Sequence, residues 1–113
     1  MPKPVNSKIA RGSTELAILA LLDKQSLYGF EIARRIEDQT AGALRFTLAS
    51  LYPMLYELEH RGWVKGQWAS NRAGRDRRYY TLTGKGRKRL APLRREWRFF
   101  FQALNRLAGV TRA

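Results

Sequence analysis

Apolar residues recur at helical spacing in four stretches of this 113-residue chain. The first stretch, about residues 15–24, follows Ser13 and Thr14, either of which can serve as the N-cap. It is apolar on nearly all sides, which is typical of a helix that is covered on more than one face. The second stretch, residues 28–40, is amphipathic, and its apolar positions are Phe30, Ala33 and Ile36. Both patterns predict helices that pack into one core.

The third and fourth stretches carry longer apolar stripes. The third helix is predicted between Thr47, its N-cap, and Gly62, its C-terminal stop. Its stripe is Leu48, Leu51, Leu55 and Leu58. The fourth helix begins after Thr83, and its apolar residues alternate steps of three and four, at Leu90, Leu93, Trp97, Phe100, Leu104 and Leu107. This seam covers almost three heptads and predicts packing along a partner helix, outside the small core.

Two aromatic-rich segments between the third and fourth helices, residues 63–68 and 78–82, predict strands joined by a turn. Three helices, a hairpin and a final helix predict a mainly α fold with a small β-hairpin, the winged helix-turn-helix, extended by a C-terminal helix. We expect three parts, which are a flexible basic arm (1–12), a winged helix-turn-helix DNA-binding domain (13–82) and a C-terminal dimerisation helix with a tail (83–113).

Two prolines conflict with regular helices. Pro53 removes the hydrogen bond to the Ala49 carbonyl and crowds it, so we expect the first turn of the third helix to bend or begin late. Pro92 predicts a kink in the final helix for the same reason.

The charge balance narrows the class of partner. The chain has 22 Lys and Arg against 9 Asp and Glu, a net charge of +13, which favours a polyanionic partner such as DNA, RNA or an anionic membrane. The longest apolar run, Leu16 to Leu22, is far too short to span a membrane, and residues 1–5 do not resemble a secretory signal. With no cysteine, we expect a cytoplasmic protein.

Catalytic chemistry has no evident basis in this sequence. One histidine, His60, no cysteine and nine scattered carboxylates offer neither a nucleophile with its base nor a set of metal ligands. We therefore expect a protein that is not an enzyme, and that uses no metal or cofactor.

In a winged helix-turn-helix the third helix lies in the major groove of DNA, with its N-terminal residues near the base edges. The residues off the leucine stripe are the candidate DNA contacts, namely Thr47, Ala49, Ser50, Tyr52 and Pro53. Tyr52 and Tyr56 flank the stripe, and we favour a core role for Tyr56. The hairpin tip adds four arginines that suit phosphates or a narrow minor groove, Arg72, Arg75, Arg77 and Arg78. A solvated run of charges is the alternative interpretation of the tip.

Several segments together resemble the PadR-like transcriptional regulators. Residues 27–32 (LYGFEI) are similar to the opening of that family's second helix, and residues 50–55 (SLYPML) resemble its recognition-helix motif. Residues 62–64 and 78–86 resemble the segments on either side of its wing. The resemblance covers about residues 13–107, and this combination at this spacing is more specific than any one piece.

The resemblance implies a repressor that binds palindromic operators and dimerises through its last and first helices, the latter through Leu16 and Leu19. It also implies an aromatic effector near the dimer interface. Trp97 and Phe101 are the candidate contacts, because paired indoles in a dimer can hold a flat ligand, although interface packing is the stronger interpretation for Trp97. Asp76 departs from the usually basic wing of the family, and Pro92 departs from a straight dimer helix. A nucleoid-type protein without operator preference and an RNA-binding protein remain alternatives.

Overall fold

The computed structural model describes residues 7–70 and 74–109. Within these ranges the chain forms four helices and a three-stranded antiparallel sheet, which confirms the predicted mainly α architecture. The elements in order are α1 (Ser7–Leu22), β1 (Leu27–Tyr28), α2 (Gly29–Gln39), α3 (Leu48–His60), β2 (Val64–Ser70), β3 (Asp76–Leu82) and α4 (Gly84–Ala108).

Helix α1 begins earlier than the sequence pattern predicts. Its first residue is Ser7, so the expected flexible arm over residues 1–12 is wrong for residues 7–12, and residues 1–6 lie outside the described part of the chain. Lys8, Ala10 and Arg11 are good helix formers, and no proline follows Pro4 in this segment, so the helix can extend past the suggested caps. Thr14, one of those caps, is instead buried inside the helix.

The core lies where the first three helices meet the sheet and the start of α4. Ile18, Leu51 and Leu55 are fully buried at its centre, and Leu58 is nearly so. The predicted stripes are wrong at their outer ends, because Phe30 is 52% exposed and Leu48 is 38% exposed. In α2 the buried residues are Gly29, Ile32 and Ile36. Leu48 occupies the first turn of α3, which projects beyond the core, and α2 turns Ile32 inward instead of Phe30.

The sheet has the order β1-β3-β2, and strand β1 was not predicted. The two residues of β1 pair with the middle of β3, Leu27 opposite Tyr80 and Tyr28 opposite Tyr79. The hairpin of β2 and β3 is longer than predicted, because pairing continues from Val64 opposite Leu82 to Ser70 opposite Asp76. A strand of two residues leaves no alternating pattern in the sequence, so only the fold reveals it.

Helix α4 starts on the body of the protein. The hydroxyl of Thr83 accepts a hydrogen bond from the Gly86 N–H (2.9 Å) and donates one to the Gly62 carbonyl (2.6 Å), which confirms the predicted cap. Arg89 pairs with Glu15 of α1 at 2.8 Å. The helix runs without interruption through Pro92.

The predicted dimer seam divides into two parts with different surroundings. Leu90 and Leu93 of α4, and Leu19 of α1, are at most 4% exposed within the single chain. Their assignment to a dimer interface is therefore wrong, because the chain's own core already covers them. Leu16 is partly buried against the same core, and of the α4 seam only the residues from Trp97 onward reach the surface.

Candidate nucleic-acid interface

The first turn of α3 is exposed and held by its own cap. The hydroxyl of Thr47 accepts from the Ser50 N–H at 3.1 Å, and the Ser50 hydroxyl donates to the Thr47 carbonyl at 3.0 Å. Thr47, Ala49, Ser50 and Pro53 all face solvent, as predicted for groups that contact a ligand. The helix continues from Leu48 through Pro53, so the expected late start is wrong. Ala49, whose carbonyl loses the Pro53 N–H, is exposed, so water can take the place of the missing donor.

The two tyrosines of α3 exchange the roles that the sequence suggested. Tyr52 is partly buried against the start of α2, where a Cβ at position 29 would come within 2.8 Å of its hydroxyl oxygen. Glycine at position 29 is therefore required for this approach. Tyr56 is 55% exposed, so the preferred core role for it is wrong, and its ring stacks on Tyr52 with 6.1 Å between centroids. Tyr56 belongs to the exposed face of α3.

Arg78 is fixed to the body of the protein. Its guanidinium contacts the Glu59 carboxylate at 2.6 Å, and the same carboxylate accepts from the Gly66 N–H at 3.2 Å. Partial desolvation works against the charge of Arg78, but Glu59 and Tyr80 outweigh it and hold its pKa above the ordinary value. Arg78 stays a predicted DNA contact, but with less free charge to offer than an unpaired arginine, because Glu59 already neutralises it.

The other hairpin arginines differ from Arg78. Arg77 lies over the ring of Tyr28, 4.4 Å from its centroid, and forms no ion pair with the described residues. Arg75 is exposed, whereas Arg72 lies outside the described residues. Asp76, the family departure noted above, accepts a hydrogen bond from the Ser70 hydroxyl at 2.5 Å across the end of the hairpin. Arg77 is therefore a hairpin cation that no carboxylate of the described residues neutralises.

The second half of α4 forms a separate exposed surface. The indole of Trp97 lies 5.7 Å from Phe100 and 5.6 Å from Phe101 between ring centroids, so the two candidate effector contacts are neighbours. Trp97 is partly buried against the core, whereas Phe100 and Phe101 are about half exposed, Leu104 is 40% exposed and Leu107 is 87% exposed. An apolar surface of this kind is typical of an interaction site.

Sequence reasoning missed three residues that shape the hairpin end. Glu59 shows no signal in the sequence, because it lies 19 residues from its partner Arg78. Trp68 was assigned only to a strand, yet its side chain is 64% exposed. Tyr28 was assigned only to the start of a helix, although its ring supports Arg77. The alternation of β2, in which Trp68 shares a face with buried Val64, was the only available clue.

The described residues show neither a metal-binding cluster nor a membrane-spanning helix. They contain no group of three or more His, Cys, Asp or Glu side chains that could hold a metal ion. In the same part of the chain, no helix has both the length and the apolar character needed to cross a membrane.

An exposed, capped α3 beside a basic hairpin defines a winged helix-turn-helix, and the chain belongs to the PadR-like family of transcriptional regulators, whose model matches residues 18–92. An uncharacterised protein of Lysinibacillus sphaericus is 31% identical over 93 residues, 82% of this chain and 85% of that protein. A transcriptional regulator from Clostridium thermocellum is similar in structure, with a TM-score of 0.82 and 27% identity over 92% of this chain and 98% of that one.

Bacillus subtilis PadR, solved in complex with operator DNA, also resembles this chain. Its TM-score is 0.65 at 25% identity, and the match covers 71% of this chain and 44% of that one. The predicted family and the winged-helix fold are thereby confirmed.

Proposed function

We propose that this chain is a sequence-specific DNA-binding regulator that acts in the cytoplasm as a homodimer on palindromic operators. The observation that carries the proposal is that α3, with its exposed first turn, and Arg77, which has no carboxylate partner among the described residues, belong to one surface, because Tyr52 of α3 and Arg77 line the same groove. The helix presents hydroxyls and small apolar groups at Thr47, Ala49, Ser50 and Pro53, which are suited to base edges and thymine methyls. The net charge of +13 and a family relative crystallised on operator DNA support the same partner.

Homodimerisation rests on the exposed end of α4. Phe100, Leu104 and Leu107 leave an apolar helix face in water, and a second copy of the chain would cover it. A dimer also accounts for a palindromic site, since two-fold symmetry in the protein is matched by two-fold symmetry in the DNA.

Repression that is relieved by a small aromatic effector completes the proposal. Trp97 is partly buried, and its ring lies beside that of Phe101. In a homodimer, Trp97 of the second copy would form the opposite wall of a site for a planar ligand. Acridine orange, a planar aromatic probe, should quench the tryptophan fluorescence of the protein without DNA, and Trp97→Leu should remove that quenching. Because Trp63 and Trp68 also fluoresce, the comparison is made in a Trp68→Phe background, where the same fractional quenching with and without Trp97→Leu would contradict this part of the proposal.

Operator recognition can be tested on Ser50. The Thr47 hydroxyl caps α3 through the Ser50 backbone N–H, so Ser50→Ala keeps that bond and removes only the Ser50 hydroxyl with its bond to the Thr47 carbonyl. With a duplex selected from random DNA, we expect affinity to fall by about 1–3 kcal/mol if the hydroxyl contacts a base. Binding to unselected duplex should stay nearly unchanged, and Gln102→Ala, at an exposed position on α4, is the matched control.

The same titration decides between the competing functions. Equal affinity for selected and unselected duplexes would favour a nucleoid-type protein, and tighter binding to a structured RNA at the same salt would favour an RNA-binding protein. Either result would contradict operator recognition.

A further inference from the structure

A groove lined by aromatic rings lies between α3 and the hairpin, and it encloses about 380 Å³. It is lined by Tyr56 of α3, Trp68 of β2, Tyr28 and Phe30 near the start of α2, and three charged residues of β3, Asp76, Arg77 and Arg78. We call this surface the aromatic groove. It lies apart from the first turn of α3 and from the exposed face of α4, and the sequence did not predict it.

The rings of the aromatic groove are exposed although they are large. Phe30 is 52% exposed, Tyr56 is 55% exposed and Trp68 is 64% exposed. The exposure of large aromatic rings to water costs free energy, and three exposed rings around one concave surface are typical of a binding site.

The aromatic groove is also pre-organised. Tyr56 stacks on Tyr52, Tyr28 stacks on Phe30 with 6.4 Å between centroids, and Arg78 lies 5.9 Å from the Trp68 ring centroid. The Glu59 carboxylate fixes Arg78 in turn. Rings held in place by neighbours lose little conformational freedom when they bind a ligand.

The charges of the aromatic groove indicate what it binds. Arg78 is neutralised by Glu59, whereas Arg77 lies on the Tyr28 ring and has no carboxylate partner among the described residues. Asp76 also lines the groove, and its carboxylate accepts a hydrogen bond from the Ser70 hydroxyl. The groove therefore offers ring faces together with one guanidinium, Arg77, that no carboxylate of the described residues pairs with. A deoxyribose presents C–H groups to a ring, and the adjoining phosphate presents one negative charge to a guanidinium.

We propose that the aromatic groove binds the sugar–phosphate backbone of one strand of duplex DNA, with deoxyribose against Tyr56 and Trp68 and a phosphate at Arg77. This proposal rests on the proposed function. If α3 lies in the major groove and the hairpin tip reaches the adjacent minor groove, the strand that separates the two grooves passes between α3 and the hairpin. That is where the aromatic groove lies.

The proposal predicts two different signatures in one titration. Trp68→Ala removes apolar contact and no charge, so affinity should fall about fivefold for every duplex while the slope of log affinity against log salt stays the same. Arg77→Ala removes a phosphate contact, so it should lower that slope by about one unit. Trp68→Phe should restore most of the affinity, because a ring is still present.

Gln102→Ala is the control, since Gln102 is exposed on α4 and does not line the aromatic groove. Trp68 is far from the core, so thermal unfolding of Trp68→Ala should match that of the wild type. Unchanged affinity in Trp68→Ala, alongside weaker binding in Ser50→Ala, would overturn the aromatic groove proposal and leave the proposed function standing. A wild-type protein that binds no duplex would overturn both.

Two further outcomes would also overturn this proposal. Tighter binding of a single-stranded thymidine oligonucleotide than of duplex, lost in Trp68→Ala, would assign the groove to stacked bases. Quenching of Trp68 by acridine orange, abolished in Trp68→Phe and competing with duplex, would assign it to a small planar ligand.

Discussion

The hairpin end and the α4 end of this molecule both expose aromatic rings, but the neighbours of those rings differ. At the hairpin end, Trp68 is next to a guanidinium that is fixed by Glu59, and Tyr28 carries Arg77. At the α4 end, helical spacing places Phe100 and Leu104 on one face, and Arg95 and Arg98 lie on the other side of the helix. One end mixes rings with charges, and the other separates them.

This difference indicates what kind of partner each end suits. A strand of nucleic acid offers sugars and phosphates side by side, and a surface that alternates rings and cations complements it. A second copy of an amphipathic helix offers a continuous apolar face, and only a surface cleared of charge complements that. Exposure of aromatic residues alone would not distinguish the two ends.

The largest expected effect comes from the residue that attaches α4 to the body. Leu90 is 2% exposed in the single chain, so Leu90→Ala should lower the free energy of unfolding by about 2–5 kcal/mol. The same change at Leu107, which is 87% exposed, should leave the unfolding of a monomer unaffected. Urea denaturation of both variants measures the contrast. A Leu90→Ala variant as stable as the wild type would contradict the packing of Leu90 in the core of the single chain.

The apolar face of α4 can be tested by introducing charge at residues that are exposed in the single chain. Phe100→Asp combined with Leu104→Asp should give a monomer of 13.1 kDa in sedimentation at micromolar concentration, whereas the wild type should give a dimer. Circular dichroism should stay close to that of the wild type, because neither side chain belongs to the buried core. Gln102→Asp adds a charge on the opposite side of the helix and should remain dimeric. A monomeric wild type would contradict the homodimer.

The sequence predicted helices and strands better than it predicted which residues share a surface. The leucines of α3 and the cap residues Thr47 and Thr83 follow local rules, because helical spacing and capping depend on a few neighbouring residues. The seam of α4 could not be divided in advance, since Leu90 and Leu104 have the same heptad spacing. Only the position of α1 decides which of them the chain itself covers.

The candidate site shows the same limit. The sequence correctly indicated an exposed first turn of α3, because Ser50 lies off the leucine stripe. It did not separate Arg77 from Arg78, which are adjacent and identical in type. Strand alternation sends them to opposite faces of the sheet, and a glutamate 19 residues away neutralises Arg78. Contacts of such long range leave no periodic signal.

The Glu59–Arg78 ion pair at the hairpin end predicts a moderate effect on stability and on DNA binding. Glu59→Gln keeps an oxygen for the Gly66 N–H but removes the negative charge opposite Arg78, so unfolding should become easier by about 1 kcal/mol. Arg78 is then free to meet a phosphate, and the salt slope of duplex binding should rise. Glu57→Gln breaks an exposed pair with Arg61 and should not move the denaturation midpoint. An unchanged slope in Glu59→Gln would show that Arg78 stays out of reach of DNA even when released.

The smallest expected effect concerns Tyr80, which lies beneath the same hairpin. Its side chain is fully buried, and its hydroxyl makes no hydrogen bond of regular geometry with the described residues, although the Arg78 guanidinium interacts with it. Tyr80→Phe removes that hydroxyl while keeping the ring, so the free energy of unfolding at neutral pH should stay the same or rise by about 1 kcal/mol. Urea denaturation at pH 7 measures this change.

A pH series on Tyr80→Phe then separates burial of the hydroxyl from packing of the ring. Burial raises the pKa of Tyr80 above its ordinary 10.0, with the Arg78 guanidinium acting in the opposite direction. A raised pKa in the folded state means that the neutral phenol stabilises the fold below pH 10, and that this contribution is lost as the pH rises further. Wild type should therefore lose more stability than Tyr80→Phe above pH 10. If Tyr80→Phe is instead less stable at pH 7 by more than about 1 kcal/mol, the hydroxyl makes a hydrogen bond that holds the hairpin to the core.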